Sequence, residues 1–99
     1  MKNKLLMLSG SEVWKPIENY PNYSVSSFGR IKNNITSKIL KPKKHPKGYL
    51  YTAISNENGR VGRKIHRLVA QHYIPNTENK PEVNHINCIR DDNRVENLE

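Results

Sequence analysis

The apolar residues of this chain change period once, near Ile65, and that change limits the folds open to it. From Gly48 to Ser55, Tyr49, Tyr51 and Ala53 alternate with Leu50, Thr52 and Ile54, which predicts a strand with two distinct faces. Asn56-Glu57-Asn58-Gly59 follows, and because Asn and Gly tolerate positive φ it predicts a tight turn, with Arg60 to Ile65 returning as the second strand of a hairpin. Then Ile65, Leu68, Val69 and His72 with Tyr73 recur at helical spacing, predicting a short amphipathic helix over 66–74 that Pro75-Asn76 ends. A hairpin feeding a helix within one short stretch is an α+β arrangement.

The flanks differ from this centre. Residues 1–10 read as a leader. Ser11 to Ile31 holds Trp14, Ile17, Tyr20, Tyr23, Val25 and Phe28 between turn formers such as Asn19, Pro21-Asn22 and Gly29, a pattern of short strands rather than a long helix. Trp14, Tyr20 and Phe28 are expected to form its small core. Lys41-Pro-Lys-Lys-His-Pro-Lys47 has two prolines and cannot be helical; an extended basic loop is expected, either touching phosphates or simply solvated. Past the helix, 76–81 reads as a loop, Val83 to Ile86 as a short strand, and Val95 with Leu98 as the start of a further element.

Charge divides the chain. Of its net +8, residues 1–50 carry ten basic side chains and two acids, whereas residues 51–99 carry seven of each sign. An excess confined to one half suits a polyanion-binding half joined to one with another task; a merely solvated basic surface is the alternative. With 99 residues and 34% hydrophobic composition the chain has material for one modest core, as one small domain or two modules leaning on each other. Cys88 is the sole cysteine, which excludes an internal disulfide or a Cys-rich zinc site and fits a reducing cytosol. The run Leu5-Leu6-Met7-Leu8 is too short for a signal or a membrane span, so a soluble cytoplasmic protein is expected.

The candidate chemistry lies in Asn84-His85 and Asn97-Leu98. Hydrolysing a phosphodiester needs a base to take a proton from water, a divalent cation to stabilise the scissile phosphate, and a group that fixes the base's orientation and tautomer. A His beside an oxygen ligand, with an Asn returned across a hairpin, supplies part of that set. On residue type alone, His85 is equally a structural hydrogen-bonding group.

Three segments resemble a known family: Ile65-His-Arg-Leu-Val-Ala-Gln-His-Tyr-Ile-Pro-Asn76; Lys80-Pro-Glu-Val-Asn-His-Ile86; and Asn93-Arg-Val-Glu-Asn-Leu-Glu99. They are similar to the HNH nucleases of phages and mobile introns. Upstream, Glu12-Val-Trp-Lys-Pro-Ile17, Tyr23-Ser-Val-Ser26 and Phe28-Gly-Arg-Ile31 resemble NUMOD4, a DNA-binding element that commonly precedes such nucleases. The resemblance implies a leader (1–10), a NUMOD4-like DNA-binding module (11–47) and an HNH domain (48–99) built toward a ββα-metal motif. It implies a homing endonuclease that hydrolyses double-stranded DNA with Mg²⁺ or Mn²⁺, as a monomer in the cytoplasm of its host cell. By position, His85 is the general base, Asn84 the metal ligand and Asn97 the residue orienting the base. Arg30, Lys32, Lys41, Lys43, Lys44, Lys47 and Arg67 are the residues expected to touch DNA.

Two departures stand out. Where the family has Asp-Gly-Asn after His-Ile, this chain has Asn87-Cys88-Ile89, and Cys in a positive-φ turn costs about 1 kcal/mol. The family pattern also continues through Trp into a second strand and a metal-binding helix, whereas this sequence stops at Glu99, so the second metal ligand is expected beyond it. A DNA-binding remnant unable to cut is therefore the alternative function; an unrelated basic RNA-associated protein is disfavoured by the ordered pair of resemblances. Among the remaining residues, His66 is expected to hydrogen-bond at the helix start or touch phosphate, His72 to pack, and His45, Asp91 and Asp92 to be solvated. Cys88 has no evident role.

Overall fold

The computed structural model describes residues 11–74 and 83–99. The expected leader (1–10), the Pro75-Asn76 helix stop and the 76–81 loop lie outside the described residues. Two three-stranded antiparallel sheets form, each in sequence order: β1 (Trp14–Ile17), β2 (Tyr20–Ser26) and β3 (Ile31–Asn33), then β4 (Lys43–Lys44), β5 (Leu50–Asn56) and β6 (Gly59–Lys64). One helix, α1 (Ile65–Tyr73), and a 3₁₀ turn at Val95–Asn97 complete the described elements. The α+β architecture is the expected one. None of the described helices is long and apolar enough to cross a membrane.

Local chemistry explains the turns. Ile17 pairs with Tyr20 across Glu18-Asn19, and Asn19 takes a φ of 69°, which Asn tolerates. Asn56 pairs with Gly59, whose φ is 123°, and the Asn56 Oδ1 accepts the Asn58 N–H at 2.8 Å. On β5, Thr52 and Ile54 are buried while their neighbours are half-buried, so the alternation read from sequence has its inward face at Leu50, Thr52 and Ile54. β6 is exposed along most of its length and passes without a loop into α1, which buries Ile65, Leu68, Val69 and Tyr73. The helix therefore starts and ends one residue earlier than its pattern indicated.

One core serves both halves. Ile17, Val25 and Ile31 of the first sheet meet Ile54 of the second, the buried face of α1, and Val95 and Leu98. Tyr73 is fully buried, its hydroxyl 2.7 Å from the Val13 carbonyl and 2.8 Å from that of Val25.

Several expectations need correction. Phe28 is 38% exposed and Trp14 is half-buried, so they do not form the module's core; branched aliphatics pack more closely between two small sheets and a helix. Trp14 instead lies under two cations, Lys32 Nζ at 4.4 Å and Arg30 Cζ at 5.6 Å from its ring centre. The basic segment is not wholly loop: Lys43 and Lys44 pair with Tyr51 and Leu50 at the edge of the second sheet, although Pro42 and Pro46 flank them. Val83–Ile86 is not a regular strand but contributes a single bridge, His85 to Leu98.

Candidate active site

The segments around His85 and Leu98 lie antiparallel. Asn84 and Glu99 exchange both backbone hydrogen bonds at 3.0 Å, and the Ile86 N–H donates to the Asn97 carbonyl at 2.7 Å. Between them residues 87–92 form a loop held from inside by Asn97, which is only 6% exposed. Its Oδ1 accepts the Asn87 N–H at 3.1 Å, and its Nδ2 donates to Asn87 Oδ1 at 2.9 Å and to the Asp92 carbonyl at 2.8 Å. Asn97 thus fixes the loop that follows His85 and does not bond the imidazole.

The side chain that bonds the His85 ring is Asn93, 3% exposed, with Oδ1 2.8 Å from His85 Nε2. An amide oxygen only accepts, so Nε2 carries the proton and the lone pair is left on Nδ1. Asn93 Nδ2 is buried without a partner among the described residues. Residue type and position in the motif do not by themselves mark Asn93 as the partner of His85. The available signal was its place at the head of Asn93-Arg-Val-Glu-Asn97, eight residues after His85.

His85 faces a cleft of about 420 Å³ shared with Asn84, His66, Tyr49 and three cations, Lys64, Arg67 and Arg90. None of the described residues lining it carries a carboxylate. His66, the second residue of α1, has its ring edge-on to His85 and is held neutral: burial, then the nearby His85, Arg67 and Lys64, push its pKa down to about 4. Tyr49 links His66 to His45, against which it stacks at 4.4 Å. His45 is therefore part of an aromatic row rather than free in solvent. His72 packs as expected, and it also bonds at both nitrogens: Nδ1 to the Leu68 carbonyl at 2.8 Å, and Nε2 accepting the Glu18 N–H at 3.0 Å.

The basic segment abuts the cleft rim. Arg90 donates to the Lys47 carbonyl at 2.6 Å, and Lys44 pairs with Asp91 at 3.4 Å. Lys41, Lys43, Lys44 and Lys47 are all exposed. Arg67 lies in the cleft itself, whereas Arg30 and Lys32 sit on the first sheet and do not line it. Arg30 is engaged by both carboxylate oxygens of Glu12, whose pKa that pairing lowers. Asp92 is not free in solvent: Arg94 binds both of its oxygens at 2.7 and 2.8 Å and, with Asn87, draws its pKa down to about 2.

For a metal, the cleft offers the amide oxygen of Asn84 beside His85. Among the described residues no group of three or more His, Cys, Asp and Glu could hold an ion. Hard divalent cations prefer several oxygens, usually with a carboxylate. Asn84 fits as one ligand, and the described residues do not complete the set.

The small mixed scaffold thus presents a hydrogen-bonded imidazole at a cleft lined by cations. Residues 12–55 match the NUMOD4 motif and residues 63–99 the HNH endonuclease model, the pair of segments, in the order, that the sequence resemblance implies. Two uncharacterized HNH endonucleases of Acanthamoeba polyphaga mimivirus are 45% and 46% identical to it over 85% and 90% of its length. The chain spans 26% and 23% of those relatives. The H-N-H endonuclease F-TflII of Escherichia phage T5 is 29% identical over 75% of this chain and 39% of that protein. Among solved structures, one of DNA binding and cleavage by the HNH homing endonuclease I-HmuI superposes with a TM-score of 0.80 at 30% identity, covering 87% of this chain and 50% of that one. HNH nucleases generally depend on a divalent metal.

Proposed function

We propose that this chain carries the nuclease site and part of the DNA-binding surface of an HNH homing endonuclease acting on double-stranded DNA, as a monomer in the host-cell cytoplasm. The observation that carries this reading is the imidazole of His85, pinned through Nε2 by Asn93 at a cleft lined by cations. Arg67, with Lys64 and Arg90, holds a backbone phosphate in the cleft. His85 Nδ1 takes a proton from the attacking water, and Asn97 keeps the loop after His85 in place while this happens. Asn84 contributes an amide oxygen to Mg²⁺ or Mn²⁺, which when bound supplies charge stabilisation at the phosphate and leaving oxygen. Lys32, Lys41, Lys43, Lys44 and Lys47 bind flanking phosphates, interactions that position the duplex without reading its sequence, and Arg30, already held by Glu12, contributes less. The relatives' names, which say endonuclease, support the reading, as does the I-HmuI structure.

A second reading, a DNA-binding remnant that does not cut, is favoured by one observation: the single oxygen ligand that the described residues of the cleft provide for a metal. Plasmid nicking with Mg²⁺ or Mn²⁺ separates the two. The comparison is between the 99-residue chain, the chain extended with a family-like Trp-bearing strand and Asn-bearing helix, and the extended chain with His85→Ala. Fast, His85-dependent nicking by the extended chain is expected, with slow or undetectable nicking by the short one. Nicking that survives His85→Ala removes His85 as the base, and no nicking by the extended chain favours the remnant.

A further inference from the structure

The turn joining β2 to β3 belongs to the NUMOD4 segment, yet it sits against the residue that holds His85. Gly29 has a φ of +88°, and a Cβ placed there would lie 2.8 Å from the Asn93 Cβ, 2.9 Å from its carbonyl oxygen and 3.1 Å from its carbonyl carbon. No side chain fits in that space without moving Asn93. Two residues on, the Val95 N–H donates to the Ser27 carbonyl at 2.8 Å. The turn is itself stiffened: Ser26 Oγ accepts the Phe28 and Arg30 N–H groups at 3.1 and 3.0 Å, and Ser27 exchanges hydrogen bonds with Val13. The first module thus leaves no room for a side chain between Gly29 and Asn93 and is bonded to the chain two residues on at Val95, while Asn93 Oδ1 accepts from His85 Nε2.

We infer that the β2–β3 turn positions the nuclease imidazole, with Gly29 as a positioning residue acting on His85 through Asn93. The NUMOD4 segment then does more than hold DNA: it forms one wall of the seat that selects the Nε2–H tautomer of His85. The path is unbroken, one van der Waals approach and one hydrogen bond, so a displacement of Asn93 reaches the ring directly. The consequence for catalysis rests on the reading of His85 as base; the coupling itself does not.

The test reads the His85 ring nitrogens by ¹⁵N–¹H NMR in the 99-residue protein without metal, at a pH where the imidazole is neutral. The wild type is expected to show well-separated Nδ1 and Nε2 resonances with the proton on Nε2. Gly29→Ala should draw the two resonances together, as Asn93→Ala does by removing the acceptor. Combining the two changes should add nothing at His85 beyond Asn93→Ala alone. Phe28→Ala, in the same turn but exposed to solvent, should leave them unchanged. If Gly29→Ala does not fold, Val95→Pro breaks the same docking by deleting the N–H that reaches Ser27, at a first helical-turn position that suits proline. DNA affinity of the folded variants should stay within about twofold, because the lysines of 41–47 are untouched. Wild-type resonances of His85 in folded Gly29→Ala or Val95→Pro overturn the inference. If the coupling holds but cleavage by the extended chain is indifferent to His85, it is the assignment of the base that fails.

Discussion

The ring of His66 stands edge-on to that of His85, with centroids 5.0 Å apart and planes at 68°. His66 is kept neutral, its pKa pushed down to about 4 chiefly by burial. In the unfolded chain His66 takes a proton near its ordinary value of 6.5. Between these two values the unfolded state binds more protons, so stability falls as the pH drops. The contribution is intact above about pH 6.5 and is lost by about pH 4. Melting temperatures across this window should decline in the wild type and decline less in His66→Gln. Asp92, drawn down to about 2 from 3.8, acts only in the more acidic range and does not confound the comparison. Parallel curves for the two proteins would show that His66 is protonated in the fold without cost.

The lysines of 41–47 and Arg30 should behave differently. The lysines are exposed, whereas Arg30 is already paired with Glu12 and lies over Trp14. Replacing Lys41, Lys43, Lys44 and Lys47 with Ala is expected to weaken binding to all duplexes alike. It should also flatten the salt dependence by about 0.9 in log–log slope for each phosphate no longer neutralised. Arg30→Ala should change the slope by less than the amount for one phosphate. Fluorescence anisotropy over a salt series checks both, and an unchanged slope in the quadruple variant would remove the segment from the interface.

What could be read in the sequence follows the range of the interactions. The β5–β6 hairpin and α1 were legible because period and turn chemistry are local: Asn56 to Gly59 names its own turn, and Ile65, Leu68, Val69 and Tyr73 name their own face. The family motifs indicated the neighbourhood of His85. The partners within that neighbourhood were not legible, because they depend on pairings across the fold. Asn97 is the more conspicuous motif residue, yet its three side-chain bonds go to Asn87 and Asp92, and the less conspicuous Asn93 bonds the imidazole. His66 and Arg90 lie far from each other in sequence and meet at the cleft only once α1 has packed. Trp14 and Phe28 mislead because large aromatics suggest a core, while the space between sheets and helix is filled by Ile17, Val25, Ile31 and Ile54.

Tyr73 carries a polar group into that core. Its hydroxyl reaches the carbonyls of Val13 and Val25, and burial pushes its pKa up to about 12, so it remains a donor throughout the neutral range. Tyr73→Phe keeps the ring and removes the donor at two carbonyls that anchor β1 and β2 to the helix. A buried acceptor left without its partner costs about 1–3 kcal/mol. Urea unfolding should show a loss in that range with an unchanged m-value. A neutral effect would mean that water reaches the Val25 carbonyl.

Cys88 takes a φ of 63°, the left-handed conformation that the family pattern fills with Gly. The turn that demands it is closed by the Cys88 N–H donating to the His85 carbonyl at 3.0 Å and by Asn87 Oδ1 accepting the Ile89 N–H at 2.9 Å. A residue with a Cβ is strained by about 1–2 kcal/mol in that conformation, and Gly relieves this while losing somewhat more entropy on folding. The Cys88 side chain is exposed, so removing it forfeits little packing. Cys88→Gly should therefore raise stability by about 0.5–1 kcal/mol, whereas Cys88→Ala, which keeps the Cβ, should leave it nearly unchanged. The pair separates backbone strain from loss of the thiol. Equal stabilisation by both variants would place the cost in the sulfur, and destabilisation by Gly would show that the loop after His85 is held by more than its turn.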